Sequence, residues 1–289
     1  MSTPGIKYRL RHRTTYAYVE PVDLATHMLH LSPRQTAHQR VLAAEILCAP
    51  APSSRSAGAD HYGNPVTWLF LERPHTRLEL VLNALVEVDA VAPSGTADLA
   101  WEQLAAAAPW DVAEFLYDST LAPATPEARD YAAASFPPAR DAFAAVRELT
   151  TRIRHEFTFR PGATSISTPV VQVLAHRTGV CQDFSHVMIA GLRAHGVPAR
   201  YVSGYIRTRP PPGQEKRRGS DVSHAWVAAW LGPRLGWVEF DPTNDLVVGR
   251  EHVVLGYGRD YADISPVRGV LLGGGRHAIT VGVDLDPAD

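Results

Sequence analysis

Three residues that together can handle a proton around a sulfur nucleophile occur in order in the second half of this chain. Cys181 comes first, His224 follows 43 residues later, and Asp241 another 17 residues on. In such a set the cysteine attacks as its thiolate, the histidine takes and returns the proton, and the carboxylate holds the imidazole in one tautomer. Each residue also has a plainer reading. A lone cysteine is usually a small buried residue, His224 would be a strand histidine, and Asp241 would open an Asp-Pro turn. The segments around them decide between the two.

Phe184, Val187, Met188, Gly191 and Leu192 recur at helical spacing after Gly179-Val-Cys-Gln-Asp, and Gly196 and Pro198 stop the pattern. The helix so predicted begins at Cys181, where unpaired amides and the positive dipole end favour a thiolate. Arg200–Ile206 reads as a strand. In Ser223-His-Ala-Trp-Val-Ala-Ala-Trp, alternation puts His224, Trp226 and Ala228 on one face; in Trp237-Val-Glu-Phe-Asp it does the same for Trp237, Glu239 and Asp241. Adjacent antiparallel strands would hold His224 beside Asp241, with Cys181 aimed at both. The Cys181 N–H is one oxyanion donor in this scheme; the second is unassigned, and the side chain of the neighbouring Gln182 cannot be placed.

The preceding half has a different character. Lys7–Tyr18, Val41–Leu47, Val66–Leu71 and Leu78–Val88 are short apolar or alternating runs separated by turn residues, as in a β-sandwich-like domain. An Ala-rich stretch then introduces helices, with Thr125-Pro126-Glu127 as a helix start and a second helix over about Arg140–His155. The division expected is a β-rich domain at 1–98, a helical connection at 99–138 and a catalytic core with a C-terminal β segment at 139–289.

Composition narrows the classes. The 289 residues, 45% hydrophobic and 20% charged, suit an ordinary globular protein of about two domains. A balance of 28 basic against 30 acidic residues argues against nucleic acid and against a membrane surface as partner. Two cysteines make no disulfide framework. With no signal-peptide pattern, the expected location is the cytoplasm. Thirteen histidines raise the question of a metal. However, His27 and His30 have no acidic or cysteine partner nearby, and no His-Glu-x-x-His or Cys-x-x-Cys is present, so neither metal nor cofactor is expected. Gly273-Gly-Gly lacks the context of a phosphate loop and reads as a hairpin turn.

Gly-Val-Cys-Gln-Asp-Phe, His-Ala-Trp and Trp-Val-Glu-Phe-Asp-Pro-Thr-Asn, in this order, resemble the transglutaminase-like superfamily of cysteine enzymes. Arg11-His-Arg-Thr-Thr-Tyr-Ala-Tyr, Leu31-Ser-Pro-Arg, His61-Tyr-Gly-Asn-Pro and Gly258-Arg-Asp-Tyr-Ala-Asp-Ile-Ser-Pro-Val-Arg-Gly resemble a bacterial subgroup in which a β domain precedes the core. The resemblance implies an α+β fold: a papain-like transglutaminase core behind a β-sandwich-like N-terminal domain. It makes Cys181 the nucleophile, His224 the base and Asp241 the orienting acid, working through a thioester acyl-enzyme. Water resolving the thioester gives hydrolysis, and an amine gives transfer. Animal cross-linking members carry Trp directly after the nucleophile. Gln182 stands there in this chain, which favours a peptidase or amidase acting on a peptide or isopeptide substrate. Acyl transfer to an amine is the alternative. A coenzyme A-dependent amine acetyltransferase fits poorly, because Arg177-Thr178-Gly179 replaces its Arg-Gly-Gly. The rival from another class is a non-catalytic peptide-binding or assembly module. Homo-oligomer formation stays open.

The remaining candidates read mainly as structure. Cys48 belongs to the core, Asp183 is a first-turn dipole partner, His186 is structural, and Trp226 and Trp237 are packing residues. Glu239 is open between a buried pair and a substrate contact. The basic stretch Arg207–Arg218 is a solvated loop, or else a lid over the site.

Overall fold

The computed structural model describes residues 5–89, 96–208, 221 and 223–288. The fold is α+β: a β-rich N-terminal region joined to a core of helices on a second sheet. The basic stretch at 209–218 and its reading as a lid lie outside the described residues.

Strands β1 (Ile6–Leu29), β2 (Gln39–Ala49), β3 (Ser54–Ala59), β4 (Pro65–Leu71) and β5 (His75–Val88) form the first sheet, in the order β2-β5-β1-β4-β3. Along β1, buried Tyr8, Leu10, His12 and Thr14 alternate with exposed Arg9, Arg11 and Arg13. This period of two is what makes the strand legible in sequence. The first half of β1 pairs with β5 and the second with β4, with a register break between Ala17 and Val22. Pro21 sits in that break, where it withholds no N–H from a regular ladder.

The other edge of β1 is covered by the end of the chain. β14 (His277–Pro287) runs along Tyr8–Tyr18, and β13 (Val267–Gly273) along Val22–Leu29. Gly273, Gly274 and Gly275, all with positive φ, join them without a reversal of direction, because β13 and β14 both run antiparallel to β1; the hairpin read from sequence is thus an irregular break in one edge of the sheet. This division differs from the one drawn from sequence, which keeps 139–289 together. Residues 267–287 hydrogen-bond into the N-terminal sheet, a long-range pairing that no local pattern encodes.

Between the sheets lie two 3₁₀ turns (Trp101–Gln103 and Glu114–Leu116) and helices α1 (Leu104–Ala107), α2 (Trp110–Ala113) and α3 (Pro126–Ala133). Thr125 caps α3, accepting from the Ala128 N–H at 3.2 Å, and Pro126 occupies its first position. Asp141 caps α4 (Ala142–Glu156), accepting from the Ala144 N–H at 2.8 Å. A two-residue parallel pair, β6 (Thr158–Phe159) with β7 (Thr178–Gly179), brackets α5 (Val170–His176) and leads into α6 (Cys181–Ala194).

The second sheet is antiparallel, in the order β11-β10-β9-β8-β12. Its strands are β8 (Ala199–Ile206), β9 (Ser223–Trp230), β10 (Trp237–Asp241), β11 (Leu246–Val247) and β12 (His252–Gly258). One face, including Ala225, Val227, Ala229 and Phe240, shares a core with Phe184, Val187 and Met188 of α6. The other face carries Val202, Trp226, Ala228, Val254 and Tyr257. Helix α3 packs closely against α6: a Cβ at Gly191 would stand 2.9 Å from the Ala132 Cβ.

Two side-chain amides join the halves of the molecule. β12 pairs on one side with β8. On the other, Gln39 donates to the Val254 carbonyl and accepts from its N–H, both at 2.8 Å. Asn64 donates to the Tyr257 carbonyl at 2.7 Å and accepts from its N–H at 2.8 Å. Each amide thereby continues the ladder along an edge that no further strand covers, where the Arg34 N–H also reaches the Val254 carbonyl at 3.1 Å. Arg34 steadies this contact, donating to Asn64 Oδ1 and to the Tyr62 carbonyl, both at 2.7 Å.

Candidate active site

The N-terminus of α6 is built from its own sequence. Val180 is extended and precedes the helix. Asp183 reaches back to accept from the Val180 N–H at 2.8 Å, and Thr164 donates to the same oxygen at 2.7 Å. Burial pushes the Asp183 carboxyl up, and these hydrogen bonds oppose it. A Cβ at Gly179 would lie 2.7 Å from Asp183 Oδ2, so the residue before the turn must be small. Asp183 is therefore the capping residue that holds the start of the helix, and Cys181 is the helix's first residue, half-buried.

His224 opens β9 and Asp241 closes the neighbouring β10. His224 Nε2 lies 2.7 Å from Asp241 Oδ2, with the pair nearly or wholly buried. Cys181 lies near enough for its thiol to act on the His224 imidazole. With Nε2 directed to the carboxylate, Nδ1 is left for the thiol. Burial alone would lower the affinity of His224 for a proton. The hydrogen bond to Asp241, the Cys181 thiol and the charges of both outweigh it and raise the imidazole to about 10. Burial would likewise push Asp241 up, but His224 and His252 hold it well below the usual carboxylate range. The structure thus joins His224 to Asp241 by a hydrogen bond and places Cys181, at the head of α6, beside His224.

Asp241 has partners that the sequence reading does not anticipate. His252 Nε2 lies 3.1 Å from the same Oδ2, and Asn244 Nδ2 donates to it at 2.7 Å. Its Oδ1 accepts from the backbone N–H of Thr243 at 2.9 Å and of Asn244 at 3.1 Å. Asn244 is visible in the motif Asp-Pro-Thr-Asn, three residues beyond the carboxylate. His252 has no such signal, because it stands on β12, separated from β10 by two strands in the sheet order. Its ring meets Trp226 edge-on, with centroids 5.0 Å apart. His224, Asp241 and His252 offer ligand atoms within 4.8 Å of one another, a nitrogen-and-oxygen donor set of the zinc type. A metal there would take the Nε2 that His224 now directs to Asp241.

The other candidates fall into place around this center. Glu239 accepts from Trp226 Nε1 at 2.7 Å and from the Tyr257 hydroxyl at 3.0 Å, which makes it a paired residue. Trp226 is fully buried, and Trp237 meets Phe115 edge-on and stacks on Arg200. Gln182 directs its side-chain amide to the Ile166 carbonyl at 3.1 Å. His186 is buried, which lowers it to about 4, and its neutral Nε2 accepts from the Tyr261 N–H at 3.2 Å. Cys48 is half-buried, and burial raises its thiol to about 11. His30 contacts Asp60 at 3.2 Å, while His27 has no hydrogen-bond partner among the described residues.

Comparison with known proteins agrees with this architecture. Residues 8–87 match the bacterial transglutaminase-like N-terminal region, and residues 129–242 match the transglutaminase-like superfamily. An uncharacterized protein of Mycobacterium tuberculosis is 40% identical, over 97% of this chain and 93% of its own length. The protein-glutamine gamma-glutamyltransferase of Pseudomonas aeruginosa is 33% identical over 136 residues, which are 43% of this chain and 20% of that one. Among solved structures, a candidate cysteine protease from Cytophaga hutchinsonii superposes with a TM-score of 0.79 at 21% identity, covering 100% of this chain and 93% of its own. The chain belongs to the transglutaminase-like superfamily.

Proposed function

We propose that the protein is a thiol-dependent hydrolase that cleaves an amide, peptide or isopeptide bond. The observation that supports this reading is the buried His224–Asp241 pair, at 2.7 Å, beside Cys181 at the head of α6. Cys181 gives its thiol proton to His224, Sγ attacks the carbonyl carbon, and the developing oxyanion is met by the free amides of the first helical turn. The C–N bond breaks as His224 delivers its proton to the leaving amine, which leaves a thioester on Cys181. Water then gives a proton to His224 and attacks the thioester. The carboxylic acid departs and the thiol is restored. Asp241 fixes the imidazole tautomer throughout and offsets the charge of the imidazolium.

Acyl transfer to an amine is the second reading, favored by the similarity to the Pseudomonas glutamyltransferase. It shares every step up to the thioester.

Iodoacetamide labeling followed by peptide mass spectrometry tests the shared part. Cys181 should label near neutral pH at least about tenfold faster than Cys48, and His224→Ala should remove that advantage. Equal, slow labeling of both cysteines, unchanged in His224→Ala, would sink the enzyme reading and leave a binding module. Product analysis on glutamine-containing peptides, with and without a primary amine, then separates the two reactions. Hydrolysis gives the acid in both cases, whereas transfer replaces it by a new amide when the amine is present.

A further inference from the structure

On the face of the core sheet opposite α6 lies a cavity of about 570 Å³, walled on its other side by residues 34–39 of the N-terminal region. Its size is that of a small-molecule site. Neither Cys181, His224 nor Asp241 lines it; it meets the candidate active site only at His252.

The charge in this cavity is one-sided. Arg34, Arg200 and Arg234 line it together, and Glu239 is the one carboxylate in the lining among the described residues. Glu239 is already engaged by Trp226 and Tyr257. The guanidinium groups have neutral partners: Arg34 donates to Tyr62 and Asn64, and Arg234 to the Thr96 carbonyl. Arg200 is held between two rings, 4.2 Å from the Trp237 centroid and 3.6 Å from that of Tyr257, and its buried Nε has no hydrogen-bond partner among the described residues. Arg34 approaches the same Tyr257 ring at 5.1 Å. Burial and the like charge of Arg34 both weaken the hold of Arg200 on its proton, while Tyr257 and Glu239 oppose them. A second orphan is present as well: His252 is nearly fully buried and its Nδ1 lacks a partner among the described residues. Buried polar groups left unpaired in this way cost free energy that a ligand can recover.

We propose that this cavity is a binding site, separate from the thiol, for a small carboxylate with an apolar body. The guanidinium forks of Arg34 and Arg200 match a carboxylate's two oxygens. Trp237, Val248 and Val254 supply apolar wall for the rest of the molecule. The inference does not rest on the hydrolase reading, because no residue in it performs the chemistry.

Isothermal titration of the full chain with 3-phenylpropionate, its amide and inorganic phosphate, at constant ionic strength, tests the site. The acid should bind saturably and at least about tenfold more tightly than either control, and Arg200→Gln should abolish the difference. Arg200→Gln may be replaced by a measurement on the unaltered protein if the variant does not fold. Phenylglyoxal modification of Arg34 and Arg200, mapped by mass spectrometry, should be slowed by the acid and not by the amide. Cys181 should remain open to alkylation in the saturated complex. The proposal is overturned by absence of saturable binding, by equal binding of the amide or phosphate, by undiminished arginine modification, or by complete protection of Cys181.

Discussion

Asp241 is fully buried, yet it accepts five hydrogen bonds, three of them on the oxygen shared by His224, His252 and Asn244. That saturation is what keeps a carboxylate ionized out of water. The same pair keeps His224 charged far above its ordinary range, up to about 10. In an NMR titration, the His224 ring should therefore titrate well above 6.5 in the unaltered protein, and Asp241→Asn should bring the midpoint down by more than about one pH unit. A midpoint unmoved by that substitution would mean that the pair is not what charges the ring. His252 acts through Asp241. His252→Leu should lower the His224 midpoint and slow Cys181 alkylation by about tenfold, the effect of one lost charge-assisted hydrogen bond. His252→Gln, which still donates, should recover most of both. A loss of stability without a change in the titration would assign His252 a merely structural role.

Among the elements, α6 bears the most constraint. Its first turn is set by Gly179 and Asp183 and its middle by Gly191. Gly191→Ala should destabilize the protein by about 1–3 kcal/mol through overpacking against Ala132, measured by urea unfolding. Ala132→Gly in the same chain should return part of that loss, less its own helix cost of about 1 kcal/mol. If the two substitutions add without rescue, the α3–α6 contact is not the source of the strain. Gly179→Ala should act differently. It displaces Asp183 and with it the start of the helix, so Cys181 labeling should slow more than stability falls. Arg193, buried near the other end of α6, donates to the carbonyls of Phe115, Ala122, Ala199 and Arg259. One side chain thus ties the nucleophile helix to the helical connection, to β8 and to the segment after β12.

At the scale of the whole molecule, the two halves are joined by polar groups on β12 and by His12, which contacts the Tyr205 hydroxyl of β8 at 2.6 Å. Asn64→Leu strips the Tyr257 N–H and carbonyl of their partners and should cost about 2–4 kcal/mol, seen as a lower urea midpoint. A change below about 0.5 kcal/mol would show that this edge needs no cover. The pH dependence also belongs to the whole chain. Burial lowers His12, His27 and His186 to about 4. The unfolded chain takes up these protons near 6.5 and the folded chain only near 4, so their contribution is complete above 6.5 and is lost as the pH falls toward 4. His224 runs the other way: its contribution is complete below 6.5 and is lost as the pH rises through about 10. Stability should therefore peak slightly above 6.5 and fall on both sides. A urea midpoint that stays flat between pH 6.5 and 4 would contradict the burial of these three rings as neutral groups.

Much of this was legible without coordinates, and the reason is locality. The helix starting at Cys181, the strands bearing His224 and Asp241 and the cap at Thr125 are each specified within a few residues, by periodicity or by backbone preference. The meeting of His224 with Asp241 was legible too, because strands as close in sequence as β9 and β10 pair with each other. His252, the amide cover on β12, the cavity beside Arg200 and the return of residues 267–287 to β1 were not legible. Each depends on residues far apart in the chain meeting in space, and a side chain's pattern tells which face it occupies, not which distant group will lie opposite. The sequence alone therefore determined the elements and the chemistry at their ends, while the tertiary structure decided what surrounds that chemistry, because burial and hydrogen-bond satisfaction are settled only when the two sheets pack.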